Sequence, residues 1–350
     1  MKDLMRAAFI HGVRDVRLAS VPRPLPGDRE LLLAVRAVGV CGSDVHYYAT
    51  GRIGSQVVEY PFTVGHEGAG EVVAVGSAVT SVKPGDRVAI DPPVSCHTCD
   101  QCLTGREHTC RTLKYLGCPG QIEGCLGELL VMPEECCFPI PDHMSLADAA
   151  LIEPLSIGVY AVQQSVPMAG AKVGILGMGP IGFSVMLPAL AEGAAAISAT
   201  DRIAARLELA AAHGTTWIGN PDAVDVVAEI EAREPLLLDV IFECCGQQEA
   251  LDQAMRLLKP GGKLMMIGIP EFDRFSFLAE TGRRSEICIQ NVRRQNGCVQ
   301  KAIDLVVDGR VDPSFMITHR FPFAQTKDAF DLVDSYEDGV LKAMIEIGGD

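Results

Sequence analysis

The sequence predicts an α/β protein of two parts, one rich in short β-strands and one a doubly wound parallel sheet flanked by helices. Three observations predict it. Residues 6–90 alternate short apolar, β-branched runs with glycine and proline turns. Near residue 153 the texture changes to apolar runs alternating with helical stretches, the pattern of a parallel sheet. The first of those runs, Lys172 to Leu176, enters Gly177-Met178-Gly179-Pro180-Ile181-Gly182, a glycine pattern that turns a strand into a helix.

In chain order, Val13 to Leu18 and Leu31 to Val38 have strand character, and Glu71 to Val75 is a strand bracketed by Gly70 and Gly76. Lys83-Pro84-Gly85-Asp86-Arg87 reads as a turn before the strand Val88-Ala89-Ile90. Residues 91–127 are rich in Cys, Gly, Pro and polar groups, a long irregular lobe that needs a metal to hold it. Further on, Lys172 to Leu176, Ala196 to Thr200, Leu237 to Phe242 and Lys263 to Ile267 are expected strands, and Ile203 to His213, closed by Gly214, an expected helix. Pro188 falls inside the helix that follows the glycines, where it removes a backbone bond and should cause a kink. After about residue 295 come a helix from Cys298 to Val307, another around Phe330 to Val333, and a terminal strand, Ala343 to Ile347, that suits a return to the N-terminal β domain.

At 350 residues and 48 % hydrophobic, the chain has the material for two packed cores. Its formal net charge of −15 argues against nucleic acid and anionic membrane surfaces as partners. The start, Met1-Lys2-Asp3-Leu4-Met5-Arg6, carries early charge and no sustained apolar run, so no secretory signal is expected, and no stretch is long and apolar enough to cross a bilayer. The thirteen cysteines are therefore expected in a reducing cytoplasm. Cys136-Cys137 and Cys244-Cys245 are adjacent pairs and poor candidates for mutual disulfides.

The glycine pattern carries the first chemistry. Gly177 permits a tight turn, Gly179 lets backbone approach a pyrophosphate, and Gly182 lets helix and strand pack closely, while the helix N-terminus that opens at Pro180-Ile181 favours the phosphates. Asp201, at the end of the next apolar run, can accept hydrogen bonds from both adenosine ribose hydroxyls and would repel a 2′-phosphate, which favours NAD over NADP. Arg202, directly after it, could stack on adenine or turn to a phosphate.

Four cysteines carry the second. Cys96, Cys99, Cys102 and Cys110 stand as C-x2-C-x2-C-x7-C, a spacing that closes a tetrahedron around a structural zinc ion. A further set is less obvious from spacing. Cys41, in Cys41-Gly42-Ser43-Asp44-Val45-His46, and His66-Glu67, in Gly65-His66-Glu67-Gly68, offer a thiolate, an imidazole and a carboxylate beside glycine turns. A catalytic zinc takes three protein ligands and leaves one position open. Glu153, in Ile152-Glu153-Pro154-Leu155-Ser156, is a fourth candidate, and the same residue also suits a helix N-terminus.

With these motifs in place, the chain resembles the medium-chain zinc dehydrogenase/reductase superfamily, and within it the polyol (sorbitol or L-iditol) dehydrogenase branch. The carriers are Cys41 to Tyr47, Gly51-Arg52-Ile53-Gly54, Gly65 to Gly76, Gly85-Asp86-Arg87-Val88, the four-cysteine lobe, Ile152 to Ser156 and Thr318-His319-Arg320-Phe321-Pro322. Glutamate in the Ile152–Ser156 segment, in place of the cysteine ligand of simple alcohol dehydrogenases, fits polyol enzymes. The resemblance implies a GroES-like catalytic domain over 1–155 and 296–350, with a zinc lobe at 91–127, and a Rossmann coenzyme domain over 156–295. It implies two zinc ions per chain, NAD, and a homo-oligomer, tetramer or dimer. Cys41, His66 and Glu67 would bind the catalytic zinc, and Glu153 would bind it or hydrogen-bond its water. Ser43 and His46 would relay the proton of the substrate hydroxyl to solvent, and Tyr47 and Arg293 would help hold the polyol or its zinc-bound water. The implied reaction passes hydride from a secondary hydroxyl carbon of a polyol to the nicotinamide, giving a ketose, in a cleft between the domains. Two positions depart from the family: Arg294 stands where an aromatic follows the arginine, and Leu116 where some sorbitol enzymes place an aromatic. Two other functions remain open: a related zinc dehydrogenase for a 2,3-diol or threonine, and a non-catalytic zinc- and nucleotide-binding protein.

Overall fold

The computed structural model describes residues 4–348. By packing, the chain divides into one unit of Met1–Glu153, Ala302–Val307 and Pro313–Asp350, and a second of Pro154–Lys301 and Asp308–Asp312.

The first unit is organised by one sheet. Its strands run in the order Cys137–Pro139, Arg87–Ile90, Glu67–Val75, Glu30–Gly39, Lys342–Glu346 and Ile317–Pro322, with Leu129–Pro133 also paired to Glu30–Gly39. The Glu30–Gly39 strand lies at the centre because it is apolar on both faces: eight of its ten residues are buried, among them Leu31, Leu33, Val35 and Val38. The terminal strand Lys342–Glu346 pairs antiparallel with it, so the C-terminal segment completes the sheet begun by the N-terminal one. The sequence reading of residues 6–90 as β segments needs one correction, since Gly42–Thr50 is an α-helix. Val, His and Tyr have weak helix propensity, which hides it. Packing decides the matter: Val45 and Tyr48, three residues apart, are both buried, and Gly51 ends the helix with a left-handed φ of 74°.

The second unit holds a six-stranded sheet, all parallel, in the order Trp217–Gly219, Ala196–Thr200, Lys172–Leu176, Leu238–Glu243, Leu258–Met266, Cys288–Asn291. Numbered along the chain, these strands run 3-2-1-4-5-6, the doubly wound order whose reversal, between Lys172–Leu176 and Leu238–Glu243, opens a crevice at the strands' carboxyl ends. The helix Pro180–Ala191 starts there and continues through Pro188. Proline has no N–H for the Ser184 carbonyl four residues back. That carbonyl instead abuts Gly158 of the neighbouring helix Ile152–Gln164, so closely that a Cβ on Gly158 would overlap it. The expected proline defect thus lies at a close approach between two helices.

Candidate metal centres and nucleotide site

Among the described residues, two groups could hold a metal ion: Cys96, Cys99, Cys102 and Cys110, and Cys41, His66 and Glu67. In the first, the Sγ atoms of Cys96 and Cys102 are 3.9 Å apart, those of Cys99 and Cys102 3.6 Å, and those of Cys99 and Cys110 3.9 Å. A tetrahedron with Zn–S bonds of about 2.3 Å has edges of about 3.8 Å, so the four sulfurs already frame one. Backbone N–H groups of Thr98 and Cys99, with the Thr98 hydroxyl, bring the Cys96 thiol down to about 5, whereas burial pushes Cys102 up to about 12. The short helix Asp100–Leu103 and the 3-10 turn Glu107–Thr109 carry the lobe.

In the second group the three ligand atoms lie within 4.8 Å of one another, brought together by the start of the helix Gly42–Thr50 and the start of the strand Glu67–Val75. The buried Asp44 accepts from His66 Nδ1 at 3.2 Å and from the Gly65 N–H at 3.3 Å, which leaves Nε2 of His66 for a metal. Burial opposes a charge on His66, but the Asp44 and Cys41 charges outweigh it and hold its pKa well above the ordinary value in the metal-free chain. The Ser43 hydroxyl donates to Cys41 Sγ at 3.3 Å, and His46 follows Ser43 by three positions on one helix face. Tyr47 is buried, and its hydroxyl donates to Gln56 at 3.1 Å.

Glu153 stands outside the three-residue cluster, at the start of the helix Ile152–Gln164. It is buried and accepts from the Tyr115 hydroxyl at 2.9 Å. Burial pushes its pKa up, against the opposing charges of His66 and Lys342. Both Glu67 oxygens accept from Lys342 Nζ, at 2.7 and 2.6 Å, with both side chains buried. Sequence reasoning missed Asp44, Tyr115 and Lys342. Only Lys342 left a signal, a lone cation in the apolar run Leu341-Lys342-Ala343-Met344-Ile345.

In the second unit, Gly177 turns with φ 100°, and Gly182 passes so near the Gly177 carbonyl that a Cβ there would overlap it. Gly179 is the N-cap and Pro180 the first residue of the helix Pro180–Ala191, with Ile181 in its first turn. Asp201 follows the strand Ala196–Thr200, and its carboxylate accepts from the N–H groups of Met178 and Ile203, each at 2.8 Å. Arg202 turns away to the surface and pairs with Asp222 at 2.9 Å. The arginine beside the carboxylate is Arg206, buried, with Nη1 4.0 Å from Asp201 Oδ2 and 3.7 Å from where a Gly179 Cβ would stand. Across the sheet reversal, Glu243 is fully buried and accepts from the N–H groups of Cys245 and Gly246 at 2.9 and 2.6 Å, pinning the turn that faces the glycine loop. Arg293 is exposed in the segment after the strand Cys288–Asn291, and Arg294 takes a left-handed φ of 54°.

A doubly wound nucleotide fold joined to a β-rich unit with two metal-ready clusters defines a class, the zinc-dependent nicotinamide dehydrogenases. Comparison with known proteins agrees. The alcohol dehydrogenase GroES-like domain family matches residues 27–142, and the zinc-binding dehydrogenase family matches residues 180–308. Sorbitol dehydrogenase of Bacillus subtilis is 37 % identical over 342 residues, 97 % of each chain. Among solved structures, an Escherichia coli oxidoreductase/dehydrogenase of unknown specificity superposes with a TM-score of 0.94 at 31 % identity, covering 99 % of both chains. A zinc-binding dehydrogenase of Sinorhizobium meliloti, bound to NADP, superposes with a TM-score of 0.90 at 31 % identity, covering 99 % of this chain and 100 % of the other. The chain belongs to the medium-chain zinc-dependent dehydrogenase/reductase superfamily, in its polyol dehydrogenase branch.

Proposed function

We propose that the protein is an NAD-dependent polyol dehydrogenase, oxidising a secondary hydroxyl of a sugar alcohol to the carbonyl of a ketose. The observation that carries this reading is the convergence of Cys41, His66 and Glu67, with Ser43 and His46 on the adjoining helix, in a chain related to a sorbitol dehydrogenase. The soft thiolate, the imidazole freed at Nε2 and the carboxylate form a donor set that suits zinc. When bound there, zinc supplies a Lewis acid that lowers the pKa of the substrate hydroxyl. A second zinc in the four-cysteine lobe is structural.

The chain's own residues do the rest. Asp44 fixes the His66 tautomer. Glu153, held by Tyr115, offers a further carboxylate beside the centre. The substrate hydroxyl gives its proton to Ser43, which passes one to His46 and so to solvent; a nicotinamide bound at the glycine turn would supply the hydride acceptor for the carbinol carbon. Tyr47 and Arg293 contribute to holding the polyol. Gly177, Gly179, Pro180, Ile181 and Gly182 form the pyrophosphate turn, and Asp201 selects the unphosphorylated ribose. None of the thirteen cysteines is disulfide-bonded, which fits a reducing cytoplasm. Light scattering will read whether the chain is the tetramer or dimer that the resemblance implies.

The deciding experiment is an initial-rate screen of sugar alcohols, tetritols to hexitols, with NAD and with NADP. Turnover of at least one polyol with NAD is expected. Faster turnover of a 2,3-diol or of threonine would reassign the substrate. No turnover by protein carrying its full zinc and binding NAD would make it a non-catalytic nucleotide-binding protein.

A further inference from the structure

Lys342 has 1 % of its side chain exposed, and all three of its N–H donors are used: two on Glu67 Oε1 and Oε2, at 2.7 and 2.6 Å, and one on the Val40 carbonyl at 3.1 Å. An ammonium so engaged is a fixed cation. Its partner is not on a neighbouring strand. The Glu30–Gly39 strand runs between them, with Gly39 opposite Glu67 on one side and opposite Met344 on the other. The Glu67 carboxylate reaches Lys342 by crossing that strand over Gly39, where a Cβ would overlap Glu67 Oε2. Three strands from distant parts of the chain thus converge on one contact. A buried ion pair gives a fold little stability over an apolar pair of the same volume, so stability alone does not account for it. What the pair does touch is the cluster of Cys41, His66 and Glu67.

We propose that Lys342 is a positioning residue for the metal centre: by holding both oxygens of Glu67 across Gly39, it keeps that carboxylate a weak and displaceable partner for the metal. The inference rests on the reading of Cys41, His66 and Glu67 as a zinc site. A thiolate and a free carboxylate together would neutralise a divalent ion. With Lys342 attached to Glu67, the centre keeps one net positive charge toward an oxygen donor, and Glu67 can yield its place. Neither consequence requires Lys342 to exchange a proton.

The test compares the full chain carrying Lys342→Met, Glu67→Gln or both with the unmodified protein. The probes are Zn²⁺, titrated into the second site against a chromophoric chelator once the cysteine lobe is filled, and Co²⁺, read by its visible absorption. With Glu67 released to the metal, Lys342→Met should hold Zn²⁺ at least about tenfold more tightly and shift the Co²⁺ bands, the scale on which partners of metal ligands act. Adding Glu67→Gln should remove both effects. An affinity and spectrum unchanged in Lys342→Met, or a loss of affinity that Glu67→Gln does not reverse, would overturn the proposal. Should Lys342→Met not fold, Glu67→Gln and the double variant carry the test. Lys342 left without its carboxylate must weaken Zn²⁺ binding at least about tenfold, and its removal must restore it; equal affinities would overturn the proposal. Unmodified protein that takes up zinc only in the cysteine lobe would instead overturn the reading of the second metal site.

Discussion

Asp201 offers the sharpest test of the nucleotide site. Its carboxylate is 9 % exposed, tied to the glycine loop through Met178 N–H and to the following helix through Ile203 N–H. A 2′-phosphate carrying a charge of about −1.5 at about 5 Å from it, at an effective dielectric constant of about 20, would be repelled by about 5 kcal/mol. Arg206, 4.0 Å from the same carboxylate and taken at about 10 Å from the phosphate, offsets roughly half of this. The remainder, about 2.5 kcal/mol, corresponds to a preference for NAD of nearly 10²-fold. In Asp201→Ala the ribose loses its acceptor, the Met178 N–H loses its partner at a cost of about 1–3 kcal/mol, and Arg206 is left without its carboxylate. NADH should therefore bind at least about tenfold more weakly, and the preference should fall to about unity or reverse. Fluorescence titration with NADH and NADPH reads both constants without any choice of substrate. Equal affinity of the unmodified protein for the two cofactors would refute the role given to Asp201. A retained preference in Asp201→Ala would place the discrimination elsewhere.

Purified protein should contain about two zinc ions per chain, and a mild chelator should abolish activity before it unfolds the cysteine lobe; full activity with one zinc or none would contradict both sites. Because the metal-free His66 is held above its ordinary pKa, a metal entering there displaces its proton; zinc affinity at the second site should rise with pH by at least about tenfold per unit while His66 is protonated, and calorimetry in buffers of different ionisation heat should show proton release. Ser43→Ala and His46→Ala should lower turnover by about 10²-fold, mostly at lower pH, with NAD affinity unchanged; an unmodified pH–rate profile in both would exclude the relay. Arg293→Ala should raise KM for polyol with little change for NAD, and an unchanged KM would return it to the role of a surface cation. Gly158→Ala must push its helix away from the Ser184 carbonyl and should lower stability by about 1–3 kcal/mol in denaturant titration, whereas an unchanged midpoint would show that the close approach relaxes freely.

What the sequence determined by itself was whatever is encoded in local spacing. The four cysteines of the lobe fall within fifteen residues, so their tetrahedron is nearly a property of the chain segment. The turn proposed to hold the pyrophosphate is likewise local, a strand, three glycines and a helix N-terminus in succession, and the alternation of apolar runs with helical stretches already implied the parallel sheet. Propensity failed at Gly42–Thr50, whose weak helix formers are held helical by packing of Val45 and Tyr48. Adjacency points to Arg202 as the neighbour of Asp201, yet Arg202 pairs with Asp222 at the surface, and the arginine beside that carboxylate is Arg206, five positions on, in the first turn of the helix Ala204–Ala212. The partners of the candidate metal cluster of Cys41, His66 and Glu67 were decided only by tertiary structure. Asp44 meets His66 across 22 positions, Tyr115 meets Glu153 across 38, and Lys342 meets Glu67 across 275. A buried charge takes the partner that the sheet brings within reach, and strand order is fixed by the burial of whole strands, so no local pattern announces which distant residue will neutralise it.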